Sequence, residues 1–82
     1  MERNEILNRL KEIFKIVVHS NVDLDSLTED ANIMLDLGIN SIGLLYMAIA
    51  IEKEFLVDMT RVSPASFKTI GDVVTYIENK TK

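Results

Sequence analysis

Apolar residues in this sequence recur three and four positions apart in three separate stretches, and about twenty residues between the first two show no such rhythm. That spacing is the period of a helix with one buried side, so the chain is constrained to an all-α fold whose helices share a core. In the first stretch Ile6, Leu7, Leu10, Ile13, Phe14, Val17 and Val18 line one side, with Asn4 as the expected N-cap. In the second, running from about Ser41 to Phe55, the stripe is Leu44, Met47, Ala48, Ile51 and Phe55. Gly38 permits the turn before it and Asn40 is its N-cap. In the last, Ile70, Val73, Val74 and Ile77 follow a capping Thr69, with Asp72 three residues after the cap, and the helix should end near Asn79.

Ser63 and Pro64 read as an N-cap followed by proline at the first helical position, where its missing N–H costs nothing. A helix of a turn or two is expected there, with Phe67 pointing inward. The predicted architecture is a small four-helix bundle: three main helices, a short third helix, and a long first loop.

That loop, His19 to Gly38, is rich in Asp, Asn, Ser and Thr, whose side chains compete for backbone hydrogen bonds. Unstructured connections of about twenty residues are uncommon in compact domains, so anchors are needed. Leu24, Leu27, Ile33, Met34, Leu35 and Leu37 are the candidates. The loop also holds five acids, Asp23, Asp25, Glu29, Asp30 and Asp36, with no Lys or Arg among them. These lack the spacing and glycine of an EF-hand and read as a solvated acidic surface.

The 82 residues are expected to form one domain. With no cysteine, the chain has no disulfide, no thiolate metal site and no thiol of its own. No apolar run approaches the roughly twenty residues that span a bilayer, and the first residues, Met1-Glu2-Arg3-Asn4-Glu5, lack a signal-peptide pattern, so a cytoplasmic monomer is expected. A net charge of −4 argues against nucleic acid or an anionic membrane as partner and favours partners with basic docking surfaces.

The second helix carries more apolar surface than a core on one side can use. Ile42, Leu45 and Ile49 repeat at the same spacing as its stripe but are rotated by roughly 100°. In so short a chain few elements remain to cover them, which points to an exposed face for partner docking.

The segment Asp36-Leu37-Gly38-Ile39-Asn40-Ser41-Ile42, followed by an apolar helix ending Ile51-Glu52-Lys53-Glu54-Phe55, resembles the signature around the modified serine of acyl carrier proteins. The likeness runs nearly the whole length, to Phe67-Lys68-Thr69-Ile70-Gly71-Asp72-Val73-Val74. It implies an acyl-carrier-like bundle that catalyses nothing. A phosphopantetheinyl transferase would move 4'-phosphopantetheine from coenzyme A to the Ser41 hydroxyl, and the arm's terminal thiol would hold acyl intermediates as thioesters. Acyl-transferring or acyl-activating biosynthetic enzymes would be the partners, docking on Asn40, Ile42, Leu45, Ile49 and Glu52. A helix N-terminus suits the phosphate, since it offers unpaired N–H groups and the positive end of the dipole.

The family usually has aspartate where this chain has Asn40, which keeps the cap and loses the charge. Fatty-acid carriers also have several acids soon after the serine, whereas Gly43, Leu44, Leu45 and Tyr46 stand here and charge returns only at Glu52, Lys53 and Glu54. Partners should therefore rely more on apolar contact, so the expected pathway is a fatty-acid-like or a specialised, polyketide-like one, with the lean towards the specialised. Gly43 is either a concession to close partner approach or a tolerant position, at a cost of about 1 kcal/mol against alanine. Met34 and Met47 read as core filler.

An aminoacyl or peptidyl carrier is the nearest alternative, and an unmodified helical adaptor docking through the second helix is the alternative of another class. A triad of Ser41, His19 and nearby acids is discounted, because no nucleophile-elbow sequence surrounds Ser41 and so small a domain leaves little room for a supported pocket. His19 is expected to face solvent or the first helix's C-terminal end.

Overall fold

The computed structural model describes residues 2–18, 23–63 and 66–81. Three α-helices account for the regular structure among them: α1 (Arg3–Val17), α2 (Ser41–Phe55) and α3 (Ile70–Lys80). A single 3-10 turn, Leu24–Ser26, lies in the first loop. The role of His19, the Asp25 side chain and the helix proposed to start at Pro64 lie outside the described residues. At the edge of that last segment, the Ser66 N–H and hydroxyl both donate to the Ser63 carbonyl, at 2.9 and 2.7 Å.

Each helix buries the side its spacing marks, except that Leu7, Val17 and Val18 at the margin of the α1 stripe are only partly covered. Ile6, Leu10, Ile13 and Phe14 of α1 meet Leu44, Met47, Ala48, Ile51 and Phe55 of α2 and Ile70, Val73, Val74 and Ile77 of α3 in one core. Phe67 joins them, as expected. Full burial of such a side chain stabilises by roughly 1.5–3 kcal/mol. α1 is the element on which both others pack.

The start of α1 differs from expectation. Its N-cap is Glu2, through the backbone alone, so Asn4 lies inside the helix and caps nothing. The reason is Arg3, whose guanidinium donates to Glu29, to Glu78 at 3.0 Å and to the Thr75 hydroxyl at 3.2 Å, holding the first turn against the loop and α3.

The long loop is fastened on α3's start. Ile33 N–H donates to the Lys68 carbonyl at 2.9 Å, Ile70 N–H to Ala31 at 3.0 Å and Gly71 N–H to Glu29 at 2.8 Å. Gly71 suits this close approach, because a Cβ there would meet the Glu29 carbonyl oxygen at 3.1 Å and Glu29 would have to give by a few tenths of an ångström. Of the expected anchors, Ile33 and Leu37 are fully buried, and Leu24 and Leu27 partly so. Met34 and Leu35 are not anchors, and Met34 is not core filler: both are exposed. Asn32 explains this. Its Oδ1 accepts the N–H groups of Met34 and Leu35 at 3.0 and 2.8 Å, while its own N–H donates to Asp36 Oδ2 at 2.7 Å. The side-chain-nucleated turn carries the two apolar residues at its tip.

After α2, Leu56 takes a left-handed conformation (φ 56°) and remains exposed while Val57 and Met59 return to the core. α3 ends one residue past Asn79, at Lys80.

Candidate functional site

Ser41 is the first residue of α2, and its side chain is exposed. Two features fix it there. Gly38, at φ 68°, reverses the chain in a conformation few other residues adopt, and Asn40 caps the helix, its Oδ1 accepting the Gly43 N–H at 2.8 Å. The boundaries and cap match those read from the sequence. The Asn40 carbonyl takes the Leu44 N–H at 2.9 Å. The N–H groups of Ser41 and Ile42 remain at an exposed helix start whose first turn contains no acid. Positive partial charge there is uncompensated by the helix itself, and a phosphoester oxygen on Ser41 would be well received.

Beside Ser41 the α1–α2 contact opens into a groove of about 700 Å3, lined by Ile16, Val17, Gly38, Ile39, Asn40, Ile42, Gly43 and Tyr46. A smaller hollow of about 180 Å3 continues from Ile16, Val17 and Tyr46 to Ile49 and Lys53. Ile42 is 71% exposed, Leu45 58% and Ile49 52%, so the second apolar face of α2 is uncovered, as its rotation from the core stripe requires. Glu52, one turn beyond Ile49, is half-buried, and its carboxylate accepts the Met59 N–H at 3.0 Å.

Ile16 was not among the sequence candidates, yet it is 71% exposed and forms the opposite wall of the groove from Ile42. The available signal was its omission from the α1 stripe, an apolar residue that no core position claims. Gly43 also finds its reason inside the molecule. A Cβ there would meet Ile39 and Val17, not solvent. Among the described residues no group of three or more His, Cys, Asp or Glu could hold a metal ion.

Residues 4–77 match the family model described as a phosphopantetheine attachment site. The acyl carrier protein of Lactobacillus acidophilus is 37% identical over 79 residues, covering 96% of each chain. That of Thermotoga maritima is 36% identical over 78 residues, covering 95% of this chain and 94% of the relative.

Proposed function

From the premise that this chain belongs to the acyl carrier protein family, whose members carry a covalent 4'-phosphopantetheine arm and are carriers rather than enzymes, we propose that Ser41 is the attachment residue. The observation that supports this most directly is a serine hydroxyl exposed at the start of α2, directly after the capping Asn40 that fixes that helix end. In the transfer, a phosphopantetheinyl transferase takes the Ser41 proton as Oγ forms a bond to the nearer phosphorus of coenzyme A. The bond between the two phosphates breaks, and the adenosine bisphosphate leaves. When bound, the arm supplies the thiol on which an acyl group rides.

Asn40, Ile42, Leu45, Ile49 and Glu52 are the docking residues in this reading. Ile42, Leu45 and Ile49 present an apolar surface, and Glu52 closes the face with a carboxylate already committed to Met59. A docking surface so poor in charge fits acyl-transferring or acyl-activating enzymes of a specialised, polyketide-like pathway better than those of primary fatty acid synthesis. The 82 residues act as one domain, with the segment from Ser63 as a short helix completing a four-helix bundle, and as a cytoplasmic monomer. No helix among the described residues is long and apolar enough to cross a membrane.

Intact mass after incubation with coenzyme A and a broad-specificity transferase tests the assignment. The parent should gain one phosphopantetheine and Ser41→Ala none. Gain by both would move the attachment elsewhere, and gain by neither would favour an unmodified adaptor acting through the same apolar face.

A further inference from the structure

The first turn of α2 is pressed against the segment that leads into it, and the contact falls on a glycine. A Cβ on Gly43 would lie 2.7 Å from Ile39 Cγ2 and 3.4 Å from both Val17 Cγ1 and Asn40 Oδ1. Non-bonded carbons settle at about 3.5–4.0 Å, so the Ile39 methyl fills the space that any other residue at position 43 would claim. Ile39 has little freedom to yield. It is 4% exposed, its N–H points to the Ile33 carbonyl at 3.4 Å, and Gly38 before it holds the left-handed turn. It also stands one residue before the N-cap, where an apolar side chain folded over the helix start fixes the angle at which the chain enters.

We propose that Gly43 is a positioning residue: by admitting Ile39 against bare helix backbone, it sets the place of Ser41 Oγ for transfer of the arm. This rests on the reading of Ser41 as the attachment residue. The link is short. The Gly43 N–H is the donor that Asn40 Oδ1 caps at 2.8 Å, so the methyl contact and the cap bond converge on one residue. A displaced Ile39 would shift Asn40, and Ser41 follows directly in the chain. Room for a partner does not account for the glycine, since its missing side chain would point at Ile39 and Val17.

The test compares initial rates of phosphopantetheine transfer, by intact mass over time, for the parent, Gly43→Ala, Ile39→Ala and the double variant, with thermal midpoints alongside. Misplacement of a reacting atom by about 1 Å can cost up to a hundredfold, so Gly43→Ala should lose about tenfold or more in kcat/KM. The double variant relieves the clash, so it should be modified as fast as Ile39→Ala, which loses less than Gly43→Ala, and recover part of that loss. Because it also gives up a buried isoleucine, it should melt below Gly43→Ala while being modified faster, and a merely structural role would move both readouts together. Transfer to Gly43→Ala at the parent's rate, or a loss undiminished in the double variant, would overturn the proposal alone. An unmodified parent would overturn the assignment of Ser41 and this proposal with it.

Discussion

α2 and α3 begin in opposite ways. At α3, Thr69 Oγ1 accepts the Asp72 N–H at 3.2 Å, and Asp72 Oδ2 returns the favour to the N–H groups of Thr69 and Lys68 at 3.1 and 3.0 Å. A carboxylate therefore lies across the helix end, and those backbone bonds, with smaller help from the Thr69 hydroxyl and the Lys68 charge, hold Asp72 below the usual carboxylate range. At α2, Asn40 makes the forward bond, but the residue in Asp72's position is Gly43, so nothing returns. A helix start finished by its own carboxylate already has its positive end compensated. One left neutral and exposed can receive an anion, and in this molecule that is the start bearing Ser41.

The strongest way to break this contrast is to take from α3 the charge that α2 lacks. Asp72→Ala strips the capping box from α3 and should lower stability by about 1–2 kcal/mol, read as a lower urea midpoint, with Ser41 modified at the parent's rate. A loss of modification would mean that the two starts are coupled. Asn40→Ala should cost about 1 kcal/mol of stability, and Asn40→Asp should add about 0.3–1 kcal/mol by favouring the positive helix end, both measurable in the same denaturation series.

The reverse operation, giving α2 the charge that α3 has, comes next in size. Ile42→Asp places a carboxylate in the exposed first turn without touching the core. Modification at Ser41 should fall a few-fold relative to Ile42→Asn, in line with the roughly 0.3–1 kcal/mol that a charge at an exposed helix end is worth, while stability stays level or rises by about the same amount. Equal modification rates for the two variants would remove the electrostatic half of the comparison.

Acid is the mildest probe. Because Asp72 ionises more readily folded than unfolded, its contribution is fully present above its unfolded value of about 3.9 and fades as pH falls through its lower folded value. Asp72→Asn should remove that part of the acid sensitivity. The α2 start should contribute none, since Asn40 does not titrate. A parent and Asp72→Asn variant with parallel stability profiles below pH 4 would contradict this.

The helices were largely readable because periodicity and cap chemistry are local. The limits of α2, the burial of its first stripe, the exposure of Ile42, Leu45 and Ile49, and the Thr69–Asp72 capping box all follow from residues within a few positions of each other. What escaped reading depends on contacts distant in sequence. Arg3 reaches Glu29 and Glu78 from the first helical position, and the N-cap of α1 is Glu2 rather than Asn4. Asn32 organises the turn that lifts Met34 and Leu35 into solvent, although hydrophobicity alone would bury them. Ile16 becomes part of the site only once α1 lies beside α2, and the reason for Gly43 is visible only when Ile39 is in place.

The clasp made by Arg3 also gives the molecule two distinct poles. Arg3 and Ile16 are thirteen residues apart on α1, roughly 20 Å at the helical rise, and Arg3 holds Glu78 near the far end of α3. Both ends of the described chain are thus gathered at one pole, while Ser41 stands at the other, between Asn40 and Ile42 of the groove that Ile16 and Val17 also line. A dye, an affinity handle or a surface linker joined at the gathered pole would leave the serine pole facing outward, so the molecule can be immobilised and still present its attachment point to a large enzyme.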